Sequence, residues 1–108
     1  VKIVKEKNLI DQAITIGSNA NKESCLAIAK GEHNAEIDNM PHILSLAALK
    51  TAIFISRNET WDYDKTIKNG EYDIPVVITP IMLINKYNLI VMRDRWPELN
   101  KYINSIKE

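Results

Sequence analysis

Pro41-His42-Ile43-Leu44-Ser45-Leu46-Ala47-Ala48-Leu49-Lys50-Thr51-Ala52-Ile53-Phe54-Ile55 is the stretch that decides how the rest of the chain is read. Pro41 suits the first turn of a helix, where its missing N–H is no loss. Ile43, Leu44, Leu46, Ala47, Ala48 and Leu49 then leave almost no polar face, the pattern of a helix buried at the centre of a fold. After Lys50 and Thr51 the run Ala52-Ile53-Phe54-Ile55 is short, β-rich and apolar throughout, as is Ile74-Pro75-Val76-Val77-Ile78. Such runs mark strands covered on both faces in a parallel sheet, with Pro75 confined to a strand end or edge. Between them Ser56 to Asp73 reads as a loop, longer than a structural connection needs and therefore a place for function.

Working outward, Lys2-Ile3-Val4 is an apolar opening with strand character, followed by Leu9, Ile10, Ala13 and Ile14 at helical spacing and Gly17 as a stop. Asn21 or Lys22 begins a second helix through Leu26, Ala27, Ile28 and Ala29, ending near Gly31, and Glu32 to Asn39 is a polar connection. Thr79-Pro80 is a helix-starting pair that predicts a helix to about Tyr87. Leu89 to Met92 reads as a last short strand or a continuing helix. Trp96-Pro97 opens a terminal helix with Leu99, Tyr102, Ile103 and Ile106 on one stripe. The alternation predicts an α/β protein: a small three-layer fold with a short parallel sheet flanked by helices, in a single domain over residues 1–108, with an all-α bundle as the alternative.

Composition agrees with a packed domain. The 108 residues are 45% hydrophobic and 26% charged, with 14 basic and 14 acidic side chains. Intrinsic disorder and fibrous classes are excluded by that balance. No apolar run reaches the roughly 20 residues a bilayer needs, so no membrane partner is expected. A lone Cys25 leaves no internal disulfide and fits a reducing, cytoplasmic compartment. Zero net charge gives no global attraction to nucleic acid, so any such contact must come from a local patch.

Cys25, His33 and His42 lack the spacing of a zinc site, and no phosphate-cradling glycine loop or hydrolase elbow occurs. Cys25 sits in an apolar run, where a buried, inert thiol is expected. The acids are more informative. Glu6 follows the first expected strand, Asp38 precedes the apolar helix, and Asn58, Glu59, Asp62 and Asp64 follow Ala52 to Ile55. In a parallel sheet the carboxyl ends of the strands share one edge, where ligands bind. Carboxylates gathered there repel one another unless a divalent cation neutralises them, and such a cation orients water for attack on a phosphate. The alternative is a solvated acidic rim.

These places carry a family resemblance. Lys2-Ile3-Val4-Lys5-Glu6-Lys7-Asn8-Leu9-Ile10 resembles the first strand of PIN-domain nucleases, with its terminal acid and following Asn. Glu36-Ile37-Asp38 before His42 to Ala47 resembles the acid that opens that family's buried helix. Ile53-Phe54-Ile55-Ser56-Arg57-Asn58-Glu59 is similar to its next strand and ending, and Ile74 to Pro80 to its closing strand and helix start. The resemblance implies a Mg²⁺- or Mn²⁺-dependent ribonuclease. In it Glu6 and Asp38 are metal ligands, Asn58 or Asp62 completes the shell, and Glu6, Asp38 and Asp62 form the catalytic set. Many members are toxins neutralised by a partner protein. Glu6 stands where the family has Asp, Asn58 replaces an acid, and the 31 residues between Glu6 and Asp38 are fewer than the family's central helices occupy, so a degenerate relative is also implied. Glu23, on the second helix, is the candidate for the family's remaining acid.

Trp61, Tyr63 and Tyr72 fall in the long polar segment, where exposed aromatics stack on bases, anchor a protein partner or cover a sheet end. They support the second functional expectation, a non-enzymatic protein-binding module such as an immunity or antitoxin-like inhibitor. Arg93, Arg95 and Lys101 are read as solvated decoration.

Overall fold

A computed structural model of the chain describes residues 2–103. The chain is an α/β protein that divides into two compact units, one formed by Val1–Asn39 with Met82–Glu108 and the other by Met40–Ile81.

The first unit is built on β1 (Ile16–Ser18), α2 (Lys22–Ala29) and β2 (Ala35–Asp38), a strand-helix-strand crossover in which β1 and β2 run parallel. A later strand, β5 (Met82–Asn85), adds antiparallel to β2, so the sheet has the order β1-β2-β5 and is mixed rather than wholly parallel. Its core is Ala20, Cys25, Ile28, Ile84, Leu89, Met92, Leu99 and Ile103, with Leu26, Ala29, Met82 and Trp96 packed against it. The helix α2 follows its sequence signals: the Asn21 side chain accepts from Ser24 N–H at 2.9 Å, and Gly31 takes φ 72 just past the last turn.

Several expected strands are helices. Lys2-Ile3-Val4 lies in α1 (Lys2–Glu6), and Ala52-Ile53-Phe54-Ile55 is the last part of α3 (Pro41–Ser56) in the second unit. Nothing between Leu49 and Ala52 breaks a helix, and extending one costs far less than starting a strand. The half-buried stripe of α3, Ile43, Ala47, Thr51 and Phe54, has helical spacing. No residue of α3 is fully buried, against the expectation of a central helix, and Leu46, Leu49 and Ile55 are more than half exposed.

Three chain reversals share one device. In each, a left-handed residue follows the helix: Asn8 at φ 55, Gly31 at φ 72 and Asn58 at φ 54. The next residue then donates back to a carbonyl five positions earlier, Leu9 to Val4, Glu32 to Ala27 and Glu59 to Phe54, at 2.8–2.9 Å. This is the Schellman ending. The expected loop Ser56–Asp73 contains β3 (Lys65–Asn69), which forms an antiparallel hairpin with β4 (Tyr72–Val76). The hairpin turns at Gly70, φ 61, in a two-residue loop. Pro75 is tolerated because the hairpin has only these two strands.

Other expectations also change. Leu9 to Ile14 forms a turn, closed by Gln12 and Ala13 N–H donating to the Leu9 carbonyl, and no continuous helix. The Glu32–Asn39 connection contains β2, and Thr79-Pro80 precedes a strand instead of starting a helix. That strand stops where Asn85 Oδ1 accepts from Tyr87 N–H at 2.9 Å and Asn88 Oδ1 from Asn85 N–H at 2.8 Å. Leu89–Met92 and Pro97–Leu99 are 3₁₀ turns, and α4 spans Asn100–Ile103. Ile106, expected on the terminal helix, lies outside the described residues.

Candidate functional site

The parallel strands β1 and β2 end together, which brings Ser18, Asn19, Asp38 and Asn39 to one edge, while Thr15 and His33 stand at the amino ends of the same strands and Glu36 lies between. Glu36 and Asp38 are two apart on β2 and so face the same side of the sheet. Both are buried, at 2% and 4% exposure, deep enough that each needs partners. Glu36 Oε1 lies 2.9 Å from His33 Nε2, and Glu36 Oε2 accepts from Ala20 N–H at 3.1 Å. The other ring nitrogen, His33 Nδ1, is 2.6 Å from Thr15 Oγ1. Asp38 is gripped by Arg95, whose two terminal nitrogens donate to its two oxygens at 2.8 and 3.0 Å.

Glu36 shapes the turn from β1 into α2. Asn19 and Ala20 are both left-handed, at φ 84 and 45, a conformation that costs residues with a Cβ about 1 kcal/mol or more each. Ala20 is held in it from three sides. Its N–H donates to Glu36, and its carbonyl accepts from Trp96 Nε1 at 3.0 Å and from the Cys25 thiol at 3.4 Å. Gly17 on β1 makes room for this carboxylate: a Cβ there would stand 2.0 Å from Glu36 Oε1. Above the buried groups, Ser18, Asn19 and Asn39 form an accessible rim, with Asn39 Nδ2 donating to Asn19 Oδ1 at 2.6 Å. The Cys25 thiol is pushed up to about 11, first by burial and then by the nearby Glu36 charge. It is therefore not a nucleophile at neutral pH.

The expected site residues fall in different settings. Glu6 ends α1 and is exposed, 3.9 Å from Lys2 Nζ. The helix is tied through Lys5 to Glu32, which precedes β2, whereas Asp38 ends β2. Glu23 lines a shallow cavity with Lys2, Lys5 and Glu32. Asn58 is the left-handed residue that ends α3, and Asp62, Trp61, Tyr63 and Tyr72 belong to the second unit, the two tyrosines exposed. Among the described residues no group of three His, Cys, Asp or Glu side chains is arranged to hold a metal ion. The donor set does not fit the implied Mg²⁺ or Mn²⁺: both Asp38 oxygens face a guanidinium, which a cation would have to displace.

Sequence reasoning singled out Asp38 but missed its partner Arg95, 57 positions away, and the Glu36–Gly17 contact. The turn-forming run Gly17-Ser18-Asn19-Ala20-Asn21 between a strand and a helix was the available signal. No helix among the described residues is long and apolar enough to cross a membrane.

No protein-family model and no curated protein matches the chain. Among solved structures it is similar to a carbohydrate transporter solute-binding protein from Chloroflexus aurantiacus, determined in complex with D-glucose. The TM-score is 0.69 and the identity 19%, over 82% of this chain. The chain spans 28% of the length of that protein. At this identity the likeness establishes a shared fold.

Proposed function

We propose that the chain is part of a solute-binding lobe and takes a small polyhydroxylated molecule at the carboxyl edge of β1 and β2. The observation that carries this reading is the fold likeness, over 82% of the chain, to a protein holding D-glucose. The chemistry of the edge supports it. Ligands of parallel α/β sheets sit beyond the carboxyl ends of the strands. Asn19, Asn39 and Ser18 offer groups that both donate and accept, as sugar hydroxyls do, and Arg95 keeps N–H donors beyond the two given to Asp38. Under this reading the remaining contacts of a full site come from polypeptide outside these residues, and the isolated chain binds only at about millimolar concentration. Capture for a transporter places the protein outside the cell; the cytoplasmic expectation belongs with the nuclease reading.

The protein-binding alternative draws support from α3, where Leu46, Leu49 and Ile53 give water an apolar face of the kind that other polypeptide covers. The test of the main reading is a monosaccharide titration followed by Trp96 fluorescence in a Trp61→Phe background. A saturable change with D-glucose that Arg95→Ala removes is expected; no change with any monosaccharide overturns the reading. Mn²⁺-dependent RNA cleavage abolished by Asp38→Ala would instead favour the nuclease.

A further inference from the structure

The second unit contains a cleft of about 400 Å³ between α3 and the segment after it, whose lining includes Lys50, Thr51, Phe54, Thr60, Trp61 and Asp62. Its walls are aromatic and aliphatic, and Phe54 and Trp61 are half-buried against it. Among the described residues its polar side chains make no hydrogen bond or ion pair. Lys50 and Asp62 form no ion pair, and the Asp62 carboxylate, the Trp61 indole N–H and the Thr51 and Thr60 hydroxyls have no hydrogen-bond partner among the described residues. Lys50 Nζ lies 5.8 Å from the centre of the Phe54 ring, so the ammonium stays over the aromatic wall.

We propose that this cleft binds a small zwitterion with a flat apolar body, the chemistry of an aromatic α-amino acid. A cation and a carboxylate on the same lining, neither in an ion pair among the described residues, match a ligand carrying both opposite charges. A ligand with a single charge pairs with one of them and leaves the other to water, and a neutral sugar engages neither as an ion pair. The flat body stacks on the Trp61 indole, where an aromatic contact adds to the area buried, beside the Lys50–Phe54 pair. The volume accommodates such a side chain with its ammonium and carboxylate, within the usual range for small-molecule pockets.

The test titrates the whole chain with L-tryptophan, tryptamine, indole-3-propionate and D-glucose, read by amide chemical shifts. L-Tryptophan is expected to bind about threefold to fivefold more tightly than either single-charge analogue, the size of partly exposed ion pairs. Lys50→Gln should abolish the preference over tryptamine and Asp62→Asn the preference over indole-3-propionate, each leaving the other preference intact. Because both side chains are exposed, the folded shift pattern of the rest of the chain should be unchanged. Equal binding of all three indoles, binding of D-glucose in this cleft as tight as that of L-tryptophan, or no shifts at Lys50, Trp61 and Asp62 would each overturn the proposal. Shifts at Ser18, Asn19 and Asn39 report on the β1–β2 edge separately, so the two sites fail or succeed independently.

Discussion

Gly17→Ala puts a methyl group where the structure has a buried carboxylate. The added Cβ would meet Glu36 Oε1 at 2.0 Å and Cδ at 2.8 Å, so the Glu36 side chain has to move. Moving it breaks the contacts to His33 Nε2 at 2.9 Å and to Ala20 N–H at 3.1 Å, both involving a buried charge. Hydrogen bonds to charged groups are worth about 1.5–3 kcal/mol each, and partial relaxation recovers some of that, so the expected loss is about 2–4 kcal/mol. The sign is diagnostic: Gly17 carries no left-handed backbone, and Gly→Ala at such a strand position otherwise stabilises by about 0.5–1 kcal/mol. Urea unfolding in a Trp61→Phe background reads the first unit through Trp96, whose indole donates to Ala20. In the double variant Gly17→Ala with Glu36→Ala the clash is gone, so its cost should fall well below the sum of the single costs. A neutral or stabilising Gly17→Ala, or strict additivity with Glu36→Ala, would refute the argument that Glu36 dictates the glycine.

Three further outcomes follow from the same geometry. Arg95→Ala leaves the buried Asp38 without its guanidinium and should cost about 2–3 kcal/mol in the same unfolding assay, less than a fully buried pair because the Arg95 side chain is 27% exposed. Cys25, with its thiol pushed up to about 11, should react with iodoacetamide at pH 8 about a hundredfold or more slowly than in the urea-unfolded chain. Because the folded state holds that proton more tightly than the unfolded state, stability falls as pH rises from about 9 toward 11, which thermal melts across that range would detect. Asn58→Gly should stabilise the second unit by about 0.5–1 kcal/mol by relieving the left-handed strain at φ 54, whereas Asn58→Val should destabilise it, as read by circular dichroism on melting.

The α/β class and the position of α2 were legible because their signals are local: an asparagine cap, an apolar face and a glycine stop. Ala52 to Ile55 was not, because four apolar residues have no periodicity that separates strand from buried helix; the absence of any breaker after Leu49 was the arbitrating feature. Asn8 and Asn58 illustrate a second difficulty. Each stands just past an apolar run, where the metal-site resemblance has a polar residue, yet each supplies a left-handed backbone that ends a helix. The hairpin was announced by Asn69-Gly70 ahead of the alternating Tyr72, Ile74 and Val76, a signal hidden inside a segment read as one long loop. At the candidate site Asp38 was visible as an acid beside a helix start, but Arg95 reaches it across 57 positions, and no local pattern encodes that pairing.

The carboxyl edge of β1 and β2 either receives a sugar-like solute or the proposed function fails. A ¹⁵N-edited chemical-shift titration of the 108-residue chain with D-glucose measures this directly. Saturable shifts centred on Ser18, Asn19, Asn39 and Arg95, lost in Arg95→Ala, are the predicted result. Shifts that are absent, that rise linearly without saturation, or that fall only in Met40–Ile81 would contradict it.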